Sequence, residues 1–306
     1  MKPRRTRRTV NNLSATDVLE KIALEIYNKE KDKTIPHKDQ LIGTLWNARF
    51  SDGYSSYFND VRYGYNDSCS LDHKYNTNII HVYNDGRNPC HDRDKNRFGE
   101  NVEAYCNNDK IRGNENNRND GTACAPYRRQ NLCDRNLEYL INKNTENTHD
   151  LLGNVLVTAK YEGESIIDNL PNSETSNICT ALARSFADIG DIVKGKDMFK
   201  RTDKDEVWKG LRAVFGKIYK SLPSPAQNYY ADDGSGNYSK LREVWWNVNR
   251  DQVWKAITCS APGDVNYFRK ISGDTKVFTG GGQCRRNDNS VPTNLDYVPQ
   301  FLRWYD

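Results

Sequence analysis

The sequence predicts a mainly α-helical protein, with a loop-rich first portion stapled by disulfides and a helical bundle after it. Three observations predict this. Apolar residues recur at helical spacing in five stretches, strand signals are sparse, and five of the eight cysteines crowd between residues 69 and 133, where hydrophobic periodicity is weakest. Length demands no cross-links, since 306 residues can enclose a core unaided. The apolar share is low: exchanging the 18 Tyr for the 20 Gly in the 36% apolar set gives about 37%, against roughly 45–50% in an ordinary globular domain. Six Trp, nine Phe and 18 Tyr are nevertheless too many for a disordered chain. The mean hydropathy of −0.91 therefore reflects Asn, Asp, Lys and Arg in long polar connections.

The chain opens on a basic tail. Lys2, Arg4, Arg5, Arg7 and Arg8 stand without an acid among the first eight residues, and taking those five charges from the net +4 leaves −1. Positive charge confined to a tail suits a polyanion clamp or a targeting signal; a nucleic-acid partner would need it spread over a face. Nucleic acid is not expected. No apolar run reaches the 18 or so residues of a membrane span, and no signal core follows the tail, so direct membrane insertion is not expected either.

Residues 16–33 place Val18, Leu19, Ile22, Ala23 and Ile26 at helical spacing, with Ser14 or Thr16 as cap, and predict an amphipathic helix needing a partner surface. Residues 50–123 read as loop, rich in Asn, Asp, Gly and Tyr. Here cross-links limit the unfolded entropy where apolar burial cannot. The eight cysteines (Cys69, Cys90, Cys106, Cys124, Cys133, Cys179, Cys259, Cys284) include no CxxC pair, so structural zinc is disfavoured and disulfides in an oxidising, extracellular setting are expected. Their pairing is open, because eight cysteines allow 105 connectivities.

Residues 124–140 set two cysteines around a Pro-Tyr-Arg-Arg turn and run into a helical pattern. Four long helices are then predicted. Leu151, Leu152, Val155, Leu156, Ala159 and Ile166 mark the first, and Ile178, Leu182, Phe186, Ile189 and Val193 the second, with Gly195 as its C-cap. Val207, Leu211, Val214, Ile218 and Leu222 mark the third, stopped by Pro223; Leu241, Trp245, Trp246, Val248, Val253 and Ile257 mark the fourth. Residues 277–284 are the best strand candidate.

Motifs for chemistry are wanting. Gly280–Gly282 lacks the Lys-Ser/Thr of a phosphate loop, the five histidines are scattered, and no carboxylate pair stands out as acid and base. No catalytic residue, metal or cofactor is expected, and the chain is not expected to be an enzyme. Arg128, Arg129 and the arginines from Arg242 to Arg250 read as scaffold, and Trp245, Trp246 and Trp254 as core. A stapled shell without a catalytic constellation favours binding.

Six blocks then carry a resemblance. CAPYRRQNLCDRNLEYL (124–140), LARSFADIGDIVKGKDMF (182–199), REVWWNVNRDQVWKAITC (242–259) and LDYVPQFLRWYD (295–306), with DSCSLDH (67–73) and NPCHDRDKNRFGENVEAYC (88–106), resemble a Duffy-binding-like domain of the alpha class. Such domains form the head of the erythrocyte membrane protein 1 family, the variant surface adhesins of the malaria parasite. The resemblance implies an N-terminal segment over 1–66, a loop-rich Cys-dense subdomain 1 over 67–148, and a helical-bundle subdomain 2 over 149–306. The family's third subdomain is expected to be missing after Asp306. It implies a non-enzymatic adhesion module on the extracellular face of the infected erythrocyte membrane, part of a membrane-anchored ectodomain. Its implied partners are host receptors and glycans, such as heparan sulfate-like glycosaminoglycans or blood-group sugars (rosetting, cytoadherence), and downstream domains of the same adhesin. The alternatives are a head that presents variable surface without glycan binding, or a secreted disulfide-stapled enzyme.

The shared blocks are framework and name no receptor contacts, so these follow from charge. Sulfated polymers are held by clusters of Lys and Arg. The expected ligand-binding set is Lys2, Arg4, Arg5, Arg7 and Arg8, joined by Lys21, Lys29, Lys31 and Lys33, with Glu20, Glu25 and Glu30 diluting the second group.

Overall fold

The computed structural model describes residues 14–31, 33–51, 61–63, 65–80, 82, 84–99, 102–114, 123–140, 145–170, 175–202, 204–272 and 275–304. Eight helices occur among them, in order α1 (Ala15–Glu30), α2 (Tyr127–Gln130), α3 (Thr148–Asn169), α4 (Thr175–Lys194), α5 (Glu206–Ser221), α6 (Ser224–Tyr229), α7 (Ser239–Ile257) and α8 (Gln300–Arg303). Two small antiparallel ribbons accompany them: β1 (Arg49–Ser51) with β2 (Val61–Tyr63), and β3 (Phe268–Ser272) with β4 (Thr275–Phe278). No helix among the described residues is long and apolar enough to cross a membrane.

The bundle is built on α3, α4 and α7, with α5 beside them. α3 is buried on nearly every side, so its polar residues must find partners inside. Thr158 donates to the Asn136 side-chain oxygen at 2.8 Å, and the Asn154 amide donates to the Asp150 carbonyl at 2.9 Å. Every apolar marker read from the sequence in α3 and α4 is buried. Gly163 lets α3 touch the end of α7, since a Cβ there would stand 1.9 Å from the Ile257 carbonyl oxygen. The three indoles expected in the core are buried and each donates a hydrogen bond: Trp245 to Thr148 Oγ1 (2.7 Å), Trp246 to Asp296 (2.8 Å) and Trp254 to the Cys284 carbonyl (3.2 Å).

All eight cysteines are bridged, as Cys69–Cys259, Cys90–Cys133, Cys106–Cys124 and Cys179–Cys284. Cys124 and Cys133 therefore do not staple each other; each reaches back into the loop-rich portion. That portion has a polar core. Arg87 is buried and donates to the carbonyls of Ser51 (3.0 Å) and Thr77 (2.9 Å), while Asn78 takes the Ser51 amide at 3.1 Å and donates to Thr145 at 2.7 Å. Side chains thus satisfy backbone groups that neither helix nor sheet pairs.

Four expectations need correction. In α1 the buried line is Leu19, Glu20 and Ala23, whereas Val18 and Ile22 are 44% and 36% exposed. The helix is turned because Glu20 is drawn inward by the hydroxyls of Tyr267 and Thr293, each at 2.5 Å. α1 also ends at Glu30, short of residue 33. The helical pattern after Cys133 is a 3-10 turn, Arg135–Tyr139, because buried Asp134 and Asn136 fix local geometry there. The strand candidate 277–284 lies in β4 only through Phe278; Gln283 and Cys284 take φ values of 48° and 54°, which no strand accommodates.

Candidate adhesion surface

Most arginines serve the framework, which narrows the choice of outward charge. Asp134 accepts from Arg93 at 3.0 Å and Arg201 at 2.8 Å, with Arg129 at 3.5 Å. Burial pushes the Asp134 carboxyl up, but Arg201, Arg93 and Arg129 outweigh it and hold it at about 2. Asp188 accepts from Arg128 (2.7 Å) and Arg303 (2.9 Å), Glu162 from Arg97 (2.9 Å), and Asp296 from Arg250 (2.6 Å). Arg242 is fully buried and donates to the carbonyls of Ile192 (2.9 Å) and Val193 (2.6 Å), closing the C-terminal end of α4. Gly195, at φ +74°, turns the chain out beside it. The scaffold reading of Arg128, Arg129, Arg242 and Arg250 therefore holds.

Of the expected polyanion set, Lys2, Arg4, Arg5, Arg7 and Arg8 lie outside the described residues. Lys21, Lys29, Lys31 and Lys33 are all exposed. They do not converge into one cationic patch. Glu25 falls midway between Lys21 and Lys29 on the same helix face, and Lys33 is paired with Glu30 at 2.7 Å. Glu20, expected to dilute the group, is buried.

A better-formed cationic surface lies on α5. Its apolar stripe, Leu211, Val214, Phe215 and Ile218, faces the bundle. The opposite side carries Lys209, Arg212, Lys217 and Lys220 around a groove of about 370 Å³, completed by Ala213, Gly216, Gly236 and Tyr238. No carboxylate lines it. Arg212 is fixed by donating to the Gly236 carbonyl at 2.9 Å and by lying 4.3 Å over the Trp208 ring. Lys217 reaches Glu146 at 2.8 Å. Lys209 and Lys220 are exposed and make no ion pair among the described residues. The sequence did hold a signal: KGLRAVFGKIYK, residues 209–220, has four cations and no acid. Attention to the apolar stripe of the same helix passes over it.

The described residues thus form a disulfide-stapled helical fold whose framework arginines are spent internally and which carries a local cationic patch on α5. The model of the Duffy binding domain matches residues 122–303, and the chain belongs to that family. It is similar to the NTS-DBL1-alpha and CIDR-gamma double domain of the PfEMP1 protein from the Plasmodium falciparum varO strain. That match has a TM-score of 0.89 and 58% identity, and covers 95% of this chain and 42% of the other. A DBL beta domain of PfEMP1 bound to human ICAM-1 matches with a TM-score of 0.67 and 25% identity over 97% of this chain and 62% of that one. The Duffy receptor beta form of Plasmodium knowlesi is 27% identical over 217 residues, 67% of this chain and 16% of the relative. The alpha-class resemblance and the helical, disulfide-linked Duffy-binding-like fold are thus shown, and these relatives are adhesion proteins.

Proposed function

We propose that this chain is a host-cell adhesion module that grips sulfated, glycosaminoglycan-like chains from the extracellular face of the infected erythrocyte. One observation carries the reading. The α5 groove is lined by four cations and no acid, with only Lys217 paired at its edge, to Glu146, while Arg93, Arg128, Arg129 and Arg250 are matched to buried carboxylates. Sulfated polymers are bound through charge density, and such binding weakens as salt rises. The tail cations Lys2, Arg4, Arg5, Arg7 and Arg8, together with Lys21, Lys29, Lys31 and Lys33, are proposed as a second contribution to polyanion binding on the strength of their crowding in sequence. The head is proposed to act beside downstream domains, in the division 1–66, 67–148 and 149–306.

Heparin-column elution tests this. Lys209→Ala/Lys217→Ala/Lys220→Ala should elute at lower salt than the unaltered protein, as should a variant with the five tail cations replaced by Ala. Co-elution of both variants with the unaltered protein would end the proposal. A protein receptor is the second reading, favoured by the likeness to the ICAM-1-bound domain. It gains if retention is absent while erythrocyte or endothelial binding persists.

A further inference from the structure

Resting on the α5 reading above, we infer that this face is a lane for one unbranched sulfated chain lying along the helix axis, and that Ala213 and Gly216 select for it by keeping the floor low. At 100° and about 1.5 Å per residue, Lys209, Ala213, Gly216 and Lys220 fall close to one line, with the two lysines about 16 Å apart. Cations therefore mark both ends of the line and small residues its middle. Arg212 and Lys217 flank it on opposite sides, Arg212 held by the loop at Gly236 and Lys217 by Glu146.

Gly216 is telling. A Cβ there would meet the Tyr238 ring at 3.5 Å, an ordinary contact, and the residue sits in the helix interior. Packing does not require glycine, and glycine in a helix interior costs about 1 kcal/mol against alanine. What its missing side chain does provide is depth: Gly216 lines the groove between Arg212 on one flank and Lys217 on the other. A linear chain with charges repeating along its length can engage both end lysines at once. A neutral, branched oligosaccharide has no charge for the ends and meets the flanks with its branch, so blood-group sugars are not the ligands of this face.

The test separates depth from charge. Ala213→Phe and Ala213→Leu fill the floor at an exposed helical position without changing charge, and their folding is checked by circular dichroism. Two probes are used: heparin fragments of increasing length, and a sulfopropyl resin, which presents sulfonates with no chain to lay in a groove. Both Ala213 variants should bind long heparin at least tenfold more weakly yet elute from the resin with the unaltered protein. Affinity of the unaltered protein should climb with fragment length until the chain spans Lys209 to Lys220. Heparin affinity unchanged in both Ala213 variants would overturn the lane while leaving the charge reading intact. If Lys209→Ala/Lys220→Ala also leaves heparin affinity unchanged, the α5 reading itself fails.

Discussion

Replacing Asp134 by Asn would remove the one carboxylate shared by Arg93, Arg129 and Arg201 while keeping the side chain's shape. Asp134 is 2% exposed, so its charge is screened little by solvent. Its carboxyl is held at about 2 against an ordinary 3.8. At about 1.36 kcal/mol per unit, that depression corresponds to stabilisation on the order of 2 kcal/mol. Asn would also take one carboxylate from three guanidinia, which keep Glu138 (Arg93, Arg201) and Asp197 (Arg129), so the cost falls short of the about 3–5 kcal/mol for removing the sole partner of a buried ion pair. The two figures are views of one interaction and do not add. Because the folded-state value is depressed, the stabilisation is fully present above about pH 4 and disappears as the pH falls toward 2. Urea unfolding of both proteins, disulfides intact, measures this at pH 7, 4 and 2.5. Asp134→Asn should be less stable by about 2 kcal/mol or more at pH 7, with the gap narrowing at the lowest pH. A gap under about 1 kcal/mol at pH 7, or one that stays constant down to pH 2.5, would refute the view of Asp134 as the hub of the arginine cluster.

Two further outcomes follow from geometry. Gly163→Ala would gain about 1 kcal/mol of helix propensity but force a Cβ against the Ile257 backbone, where overpacking costs about 1–3 kcal/mol or more; a lowered melting temperature is expected, and an unchanged one would contradict the close approach of α3 and α7. Among paired Cys→Ser variants, loss of Cys69–Cys259, which spans 190 residues, should cost up to about 5 kcal/mol and loss of Cys106–Cys124, which spans 18, up to about 3 kcal/mol; chemical denaturation that reversed this order would argue against a loop-entropy origin.

The long helices were legible because their burial is periodic. Leu151, Leu152, Val155 and Leu156 can only share a face if the chain is helical, and all four are buried. α1 was legible as a helix but not in its orientation, since the group it buries is Glu20, and a carboxylate gives no apolar signal. The same holds for the loop-rich portion. Arg87, Asn78 and Asn76 make its interior, and in sequence they look like solvent-facing loop. The cysteines announced that they would bridge but not which with which, because partners as far apart as Cys69 and Cys259 meet only in the finished fold. For the adhesion surface, the tail's charge stood out by crowding, whereas the α5 cations were interleaved with the core residues of their own helix.

An adhesin is loaded by pulling. A pull applied to the two ends of this chain must cross the fold between them. The bond between Cys69 and Cys259 offers that tension a covalent short cut past the 190 residues between them. Everything from α2 to α7, including the groove on α5, sits inside the bypassed loop and is relieved of force applied outside it. The chain between those two cysteines can be drawn out by such a pull only once that sulphur–sulphur link is broken, so a reductant would add 190 residues to the length that the ends can reach.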